Sequence, residues 1–184
     1  MEIDHKKTCV RELLIHIGED PNRDGLIETP SRVVRSWDEL FSGYNKNPAD
    51  VFKTFDGEGH DEMVLLKNVE LYSMCEHHML PFVGKAHIAY IPVEGKIIGV
   101  SKLARLLEIF ARRLQVQERL GNQVVDTLMQ HLTPIAAACI IEAEHFCMRM
   151  RGVSKQHSIM VSNHLRGSFK TDPAARAELM QAIR

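Results

Sequence analysis

Four consecutive residues, Cys75-Glu76-His77-His78, carry the densest chemistry in the chain. They follow a β-favouring run, and a cysteine and a histidine three positions apart can reach one ion from a single turn. A second group lies far along the chain in Glu144-His145-Phe146-Cys147-Met148-Arg149-Met150-Arg151. Read as a strand over 141–151, its period of two puts His145, Cys147, Arg149 and Arg151 on one face. Thiolate and imidazole ligands together suit zinc. Two blander readings compete. Cys75 and Cys147 could be small buried hydrophobes, as free cysteines often are, although Cys75 has polar neighbours while Cys9 and Cys139 sit in apolar stripes. A closed structural site of Cys75, His78, His145 and Cys147 would also satisfy tetrahedral zinc. An open catalytic site would use three protein ligands and keep a fourth position for water, whose pKa zinc lowers toward about 7. His77 and His145 could then work as acid and base.

Ser101-Lys102 stands at an expected helix start, with Arg105 about a turn further on. A helix N-terminus with two nearby cations makes an anion site. Arg151, on the same strand face as Cys147, would lie about 13 Å from it, the span between a reacting base and the phosphates of a nucleotide. Singly, each cation also reads as a solvated surface charge. In Gln115-Val116-Gln117-Glu118-Arg119 a carboxylate could accept from the adjacent ring N–H and amino group of guanine. The bland counterpart is a helix-face pair of Glu118 with Arg119 or Arg113.

The elements that must position these groups follow from periodicity. Val10, Leu13, Leu14 and Ile17 form a helical stripe closed by Gly18, and Thr29 with Pro30 reads as an N-cap opening a second helix through Val33, Trp37, Leu40 and Phe41. Residues 44–62 read as a polar connector. Strands are expected over 63–73 and 84–92, then a Glu94-Gly95 turn into Lys96–Val100. Ser101 caps the next expected helix, striped by Leu103, Leu106, Leu107, Phe110 and Leu114. A further helix carries Val116, Leu120, Val124 and Leu128 until Pro134 stops it. Residues 137–151 read as a long strand, 156–163 as a weaker one, and Asp172-Pro173 opens a short C-terminal helix. Paired strands joined by tight turns predict an α+β architecture, an antiparallel sheet with helices on one face. The expected division is an N-terminal helical segment, 1–58, and a catalytic domain, 59–184.

Composition narrows the class of protein. The 184 residues are 45% hydrophobic and 26% charged, with 23 Lys and Arg against 24 Asp and Glu, a net charge of −1. This excludes disorder and argues against nucleic acid as a partner. The longest charge-free stretch, Thr127 to Ile141, is broken by Gln130, His131, Thr133 and Pro134, so no membrane span is expected. The start, Met-Glu-Ile-Asp-His-Lys-Lys, is acidic where a signal peptide would be basic, and four cysteines then read as reduced thiols of a cytoplasmic protein.

With these residues in hand the chain resembles the GTP cyclohydrolase I family. The resemblance runs over nearly the whole chain and is carried by Cys75-Glu76-His77-His78 with Pro81-Phe82, by Ala89-Tyr90-Ile91-Pro92, by Gly99-Val100-Ser101-Lys102-Leu103, by Gln115-Val116-Gln117-Glu118-Arg119-Leu120, and by His145-Phe146-Cys147 with Arg151-Gly152. It implies a tunnelling fold, with Cys75, His78 and Cys147 holding a catalytic Zn2+ and His77 and His145 transferring protons. It implies that Glu118, with Gln117, holds the guanine edge, and that Lys102, Arg105, Arg151 and Arg32, with Ser101 at the same helix start, hold the triphosphate. The implied substrate is GTP, opened at its imidazole ring and rearranged to 7,8-dihydroneopterin triphosphate and formate, the first step of tetrahydrofolate (pterin) biosynthesis. The implied assembly is a homodecamer with active sites shared between subunits. Leu114 stands where the family usually has proline, the segment after Gly152 has fewer threonines than the family pattern and adds Arg166, and the N-terminal arm is short. Two other functions compete: another tunnelling-fold enzyme acting on a pterin or deazapurine, and a non-catalytic structural-zinc protein that binds nucleotides.

Overall fold

The computed structural model describes residues 4–184. Contacts divide the chain into two compact units, Met1–Ser42 and Gly43–Arg184. In the first, α1 (His5–His16) packs on α2 (Thr29–Leu40), and Val10 is buried between them. Thr29 is the first helical residue rather than the expected N-cap, because Glu28 already has helical backbone angles. Pro30 keeps its place in the first turn, where its missing N–H costs nothing.

The second unit is built on a five-stranded sheet. The connector expected over 44–62 contains β1 (Thr54–Asp56), ahead of β2 (Val64–Cys75) and β3 (Pro81–Ile91). After the Glu94-Gly95 turn comes β4 (Lys96–Ile98), which pairs with β1 in a separate two-stranded ribbon. Helix α3 (Val100–Ala111) starts two residues earlier than expected, with Gly99 as its N-cap, so Ser101 lies inside the first turn and caps nothing. It also stops short of Leu114. Its last carbonyls are taken by side chains, Gln115 Nε2 donating to Phe110 O (3.0 Å) and Ser73 Oγ to Ala111 O (2.7 Å). The chain therefore re-enters the sheet as β5 (Leu114–Gln115), parallel to the end of β2.

Helix α4 (Gln117–Leu132) ends on left-handed Thr133 before Pro134. It is followed by β6 (Ala136–His145), a single helical turn α5 (Phe146–Arg149), β7 (Met160–Gly167), a short α6 (Ser168–Thr171) and α7 (Pro173–Ile183). The long strand expected through residue 151 thus ends at His145. Met150 N donates to Phe146 O, Lys155 N to Met148 O, and Glu144 pairs with Arg149, all of which curl the chain away from the sheet.

Alternation along β6 shows how the sheet is covered. Ala137, Cys139 and Ile141 face α3 and α4, meeting Leu103, Leu106, Leu107, Leu120, Val124 and Leu128. Ala136, Ala138 and Ile140 belong instead to a smaller cluster with Phe169 and Leu179 from α6 and α7. Each fully buried Leu or Phe contributes roughly 1.5–3 kcal/mol relative to exposure, so the α3–α4 layer fixes the frame on which the strand ends stand. The expected α+β sheet with two helices on one face is what forms. No helix among the described residues is long and apolar enough to cross a membrane.

Candidate metal centre and active site

Strand β2 delivers Cys75 to a turn that folds straight back: Met79 N donates to Cys75 O (2.8 Å) and Cys75 N to Leu80 O (2.9 Å). Met79 takes a positive φ to complete the reversal, which swings His78 over Cys75. Cys147 arrives from β6 by way of α5. One ligand atom from each of Cys75, His78 and Cys147 lies within 4.8 Å of the other two. Two sulfurs and an imidazole nitrogen are a soft donor set that fits zinc. Burial pushes the Cys147 thiol pKa up, and the adjacent Cys75 sulfur adds to it, so a bound cation is what would favour the Cys147 thiolate. His145 is not a member of the group, so the closed four-ligand arrangement does not form.

His145 instead stacks flat on Phe82, centroids 4.7 Å apart, and its Nε2 lies 2.9 Å from Gln117 Oε1. Gln117 is 1% exposed, and its amide nitrogen faces Ile141 O (3.0 Å), Met160 O (3.1 Å) and Ser162 Oγ (2.9 Å). Carbonyls only accept, so the amide nitrogen must point at them and Oε1 at His145. It follows that His145 Nε2 carries the proton and Nδ1 has the free lone pair. Burial lowers the His145 pKa, with Glu118 opposing, which favours this neutral ring. The Gln117 side chain was expected at the guanine edge; it is paired inside the protein, because Ile141 O, Met160 O and Ser162 Oγ share its two N–H donors. His77 is exposed, with Nδ1 3.9 Å from Cys75 Sγ and Nε2 4.0 Å from Glu76.

Glu118 stands exposed in the first turn of α4 and makes no ion pair among the described residues. Its bland partners are engaged elsewhere. Arg119 binds Glu76 through both terminal nitrogens (2.5 and 2.7 Å), an interaction that holds the Glu76 carboxyl below its usual range. Arg113 donates to Gly43 O and Ile109 O and lies over the Phe110 ring.

The expected phosphate anchors are dispersed. Lys102 and Arg105 line a pocket of about 490 Å3 with Lys46, Asn47, Asp50 and Glu108, and Ser101 is exposed at the same helix start. Arg151 does not lie 13 Å down a strand from Cys147. The α5 turn folds it back so that its guanidinium donates to His78 Nε2 at 2.8 Å. Arg32 belongs to the first unit, on α2, where it pairs with Glu28 (2.6 Å). No hydrogen bond among the described residues joins the Lys102–Arg105 pocket to the Cys75–His78–Cys147 group.

Phe82, Arg119 and Ser162 contact residues of this site, and Glu76 lies within it, yet none was assigned a role there from the sequence. Glu76 carried a signal, since it lies between two metal-binding candidates. Phe82 and Ser162 reach the site through strand pairing, and Arg119 through the packing of α4 on the sheet.

A curled α+β unit with a thiol–imidazole group at the strand ends, able to hold a metal, defines a class, that of tunnelling-fold proteins built on one sheet and a helical pair. The sequence makes the assignment specific. Residues 6–184 match the profile of the family described as GTP cyclohydrolase I. The protein named GTP cyclohydrolase 1 from Acetivibrio thermocellus is 53% identical over 177 residues, covering 96% of this chain and 95% of that protein. The one from Wolinella succinogenes is 54% identical over 176 residues, covering 95% and 94%. The solved apo structure of the archaeosine synthase QueF-Like overlaps 57% of this chain and 93% of that one at a TM-score of 0.43 and 14% identity, too distant to bear on activity. The chain belongs to the GTP cyclohydrolase I family of hydrolases.

Proposed function

We propose that this protein hydrolyses GTP to 7,8-dihydroneopterin triphosphate and formate, a cytoplasmic step of tetrahydrofolate (pterin) biosynthesis. The observation that carries the reading is the convergence of Cys75, His78 and Cys147 within 4.8 Å, at the end of the sheet where Gln117 also holds His145. On this reading those three residues hold Zn2+, which when bound supplies Lewis acidity and an activated water at neutral pH. His145 accepts a proton at Nδ1 while Gln117 retains the one on Nε2. His77, exposed beside Cys75, exchanges protons with the guanine nitrogens. Glu118 accepts from the ring N–H and the amino group of guanine, side by side. Gln117 supports this recognition from behind, by fixing the start of α4. Lys102, Arg105, Arg151, Arg32 and Ser101 take the triphosphate, which anchors the base in register for reaction.

The separation of the Lys102–Arg105 pocket from the metal group supports a site completed by a second copy of the chain, in a homodecamer whose active sites are shared. The catalytic domain in this reading is 59–184, behind the N-terminal helical segment 1–58. The test is to supply GTP to purified, zinc-loaded protein and to measure formate together with a fluorescent pterin after oxidation. Turnover that disappears with chelator while the far-ultraviolet circular dichroism stays unchanged supports the reading. Absence of both products from the folded, zinc-loaded protein refutes it.

A further inference from the structure

His164 lies on β7 opposite Cys139 of β6, beneath the first turns of α4, and is 6% exposed. Its ring fills a notch that only glycine leaves open. A Cβ built on Gly121 would meet His164 Cδ2 at 2.0 Å and Nε2 at 2.3 Å. The ring is also fixed at both nitrogens. Nδ1 lies 3.3 Å from Asn122 Oδ1, which also accepts from Arg166 (3.1 Å), and Nε2 lies 3.1 Å from Ser162 Oγ.

The donor inventory gives these bonds one direction. Asn122 Oδ1 can only accept, so His164 Nδ1 carries the proton. Nε2 then accepts from the Ser162 hydroxyl, whose oxygen lies 2.9 Å from Gln117 Nε2 and shares that amide's two N–H donors with Ile141 O and Met160 O. A neutral His164 is required throughout, and burial, followed by the Arg166 charge, lowers its pKa in that sense.

Helical spacing connects this notch to the site. Gln117 and Glu118 lie four and three residues before Gly121, so both sit about one turn from the notch, Gln117 buried toward the sheet and Glu118 beside it at the exposed edge of α4. We propose that His164, keyed into the Gly121 notch and tied through Ser162 to Gln117, is a positioning residue that sets the Glu118 carboxylate against the guanine edge and so determines specificity for the base. The proposal rests on the reading of Glu118 given above.

The test compares GTP with inosine triphosphate, which keeps the phosphates and the ring N–H but lacks the amino group. A general loss of stability lowers the folded fraction equally for both and leaves their ratio unchanged. His164→Ala should reduce the ratio of kcat/KM for GTP over inosine triphosphate by about tenfold, as expected for a displacement of part of an ångström at the recognising group. Added imidazole should restore much of it. Gly121→Ala, which evicts the ring without removing any polar group, should shift the ratio in the same direction. The double variant Gly121→Ala/His164→Ala should be no worse than His164→Ala alone, because the two changes remove one interaction. If His164→Ala does not fold, Gly121→Ala and Ser162→Ala decide, the latter cutting only the link to Gln117. A wild-type ratio in the folded His164 variant, or in both substitutes, overturns the proposal provided Glu118→Ala loses the ratio. If Glu118→Ala keeps it, the assignment of Glu118 fails instead.

Discussion

Arg119 grips Glu76 with both terminal nitrogens of its guanidinium, at 2.5 and 2.7 Å, and so ties the start of α4 to the turn that carries Cys75 and His78. Glu76 N also donates to Gln115 O (2.9 Å), which makes two independent ties across the same gap. A planar fork matched to a carboxylate orients as well as attracts. Arg119→Ala should therefore weaken zinc retention by about tenfold, the lower end of what supporting contacts at metal sites cost. Arg119→Lys should recover little, since an ammonium cannot make the paired contact. Chelator competition measures both, and unchanged zinc affinity in Arg119→Ala would mean that the turn holds its shape unaided.

Removing a metal-binding sulfur separates binding from folding. Cys147→Ser should bring the zinc content of the purified protein close to zero and abolish turnover, because a hydroxyl is a poor soft donor. Cys139→Ser should leave zinc unchanged: that thiol is fully buried in the core, its pKa pushed up to about 12. Elemental analysis of the two variants settles the ligand assignment, and full zinc in Cys147→Ser would contradict it.

The two histidines outside the metal group should behave differently from His78. His77→Ala and His145→Ala should keep zinc and lose about 10²–10⁴-fold in turnover, the usual contribution of a positioned proton-transfer group. Loss of zinc from either variant would identify that residue as a ligand.

Base and phosphate recognition should come apart. Glu118→Ala leaves two guanine donors unpaired and should cost about 2–5 kcal/mol of GTP binding. Lys102→Ala and Arg151→Ala should weaken GTP and ATP alike, since phosphates carry no information about the base. Competition of GTP against ATP at fixed salt distinguishes the two classes. A preference for GTP that survives Glu118→Ala but not Arg151→Ala would reverse the assignments.

The pH dependence of stability should come from buried neutral histidines. His87 is 1% exposed, and burial lowers its pKa more than the Glu142 carboxylate raises it. That carboxylate lies 3.4 Å from Nε2 but is too poorly aligned to hydrogen-bond it. His145 and His164 are lowered in the same direction. A depressed histidine pKa means that the unfolded chain takes up its proton first, so stability is complete above about pH 6.5 and declines as the pH falls below it. Urea unfolding of metal-free protein should show this decline between about pH 7 and 5, and His87→Leu should reduce its slope. An unchanged slope in that variant would mean that His87 ionises as freely folded as unfolded.

What was legible in the sequence is what short-range spacing encodes. The stripes of α3 and α4 follow from residues three and four apart, β2 and β3 from β-favouring runs, and the closeness of Cys75 to His78 from three bonds of chain around a turn. The family motifs are contiguous too, which is why the family was apparent before any geometry. The same logic failed where local pattern and local geometry diverge. Alternation over 141–151 suggested a strand, but beyond His145 the chain leaves the sheet, and turn hydrogen bonds with a Glu144–Arg149 pair then outweigh a strand's partners.

Only the tertiary structure decided who meets whom. Strand order β5-β2-β3-β6-β7 sets Gln115 beside Cys75 and His145 beside Phe82, pairs more than thirty residues apart that no local rule links. Glu118 and Gln117 are adjacent in sequence, yet one is left exposed while the other is buried against two strand carbonyls. Residue type gave Glu118 acceptors alone and Gln117 both donors and an acceptor, but not their placement. The helical rotation of about 100° between neighbours, set against a sheet on one side only, assigned them opposite tasks.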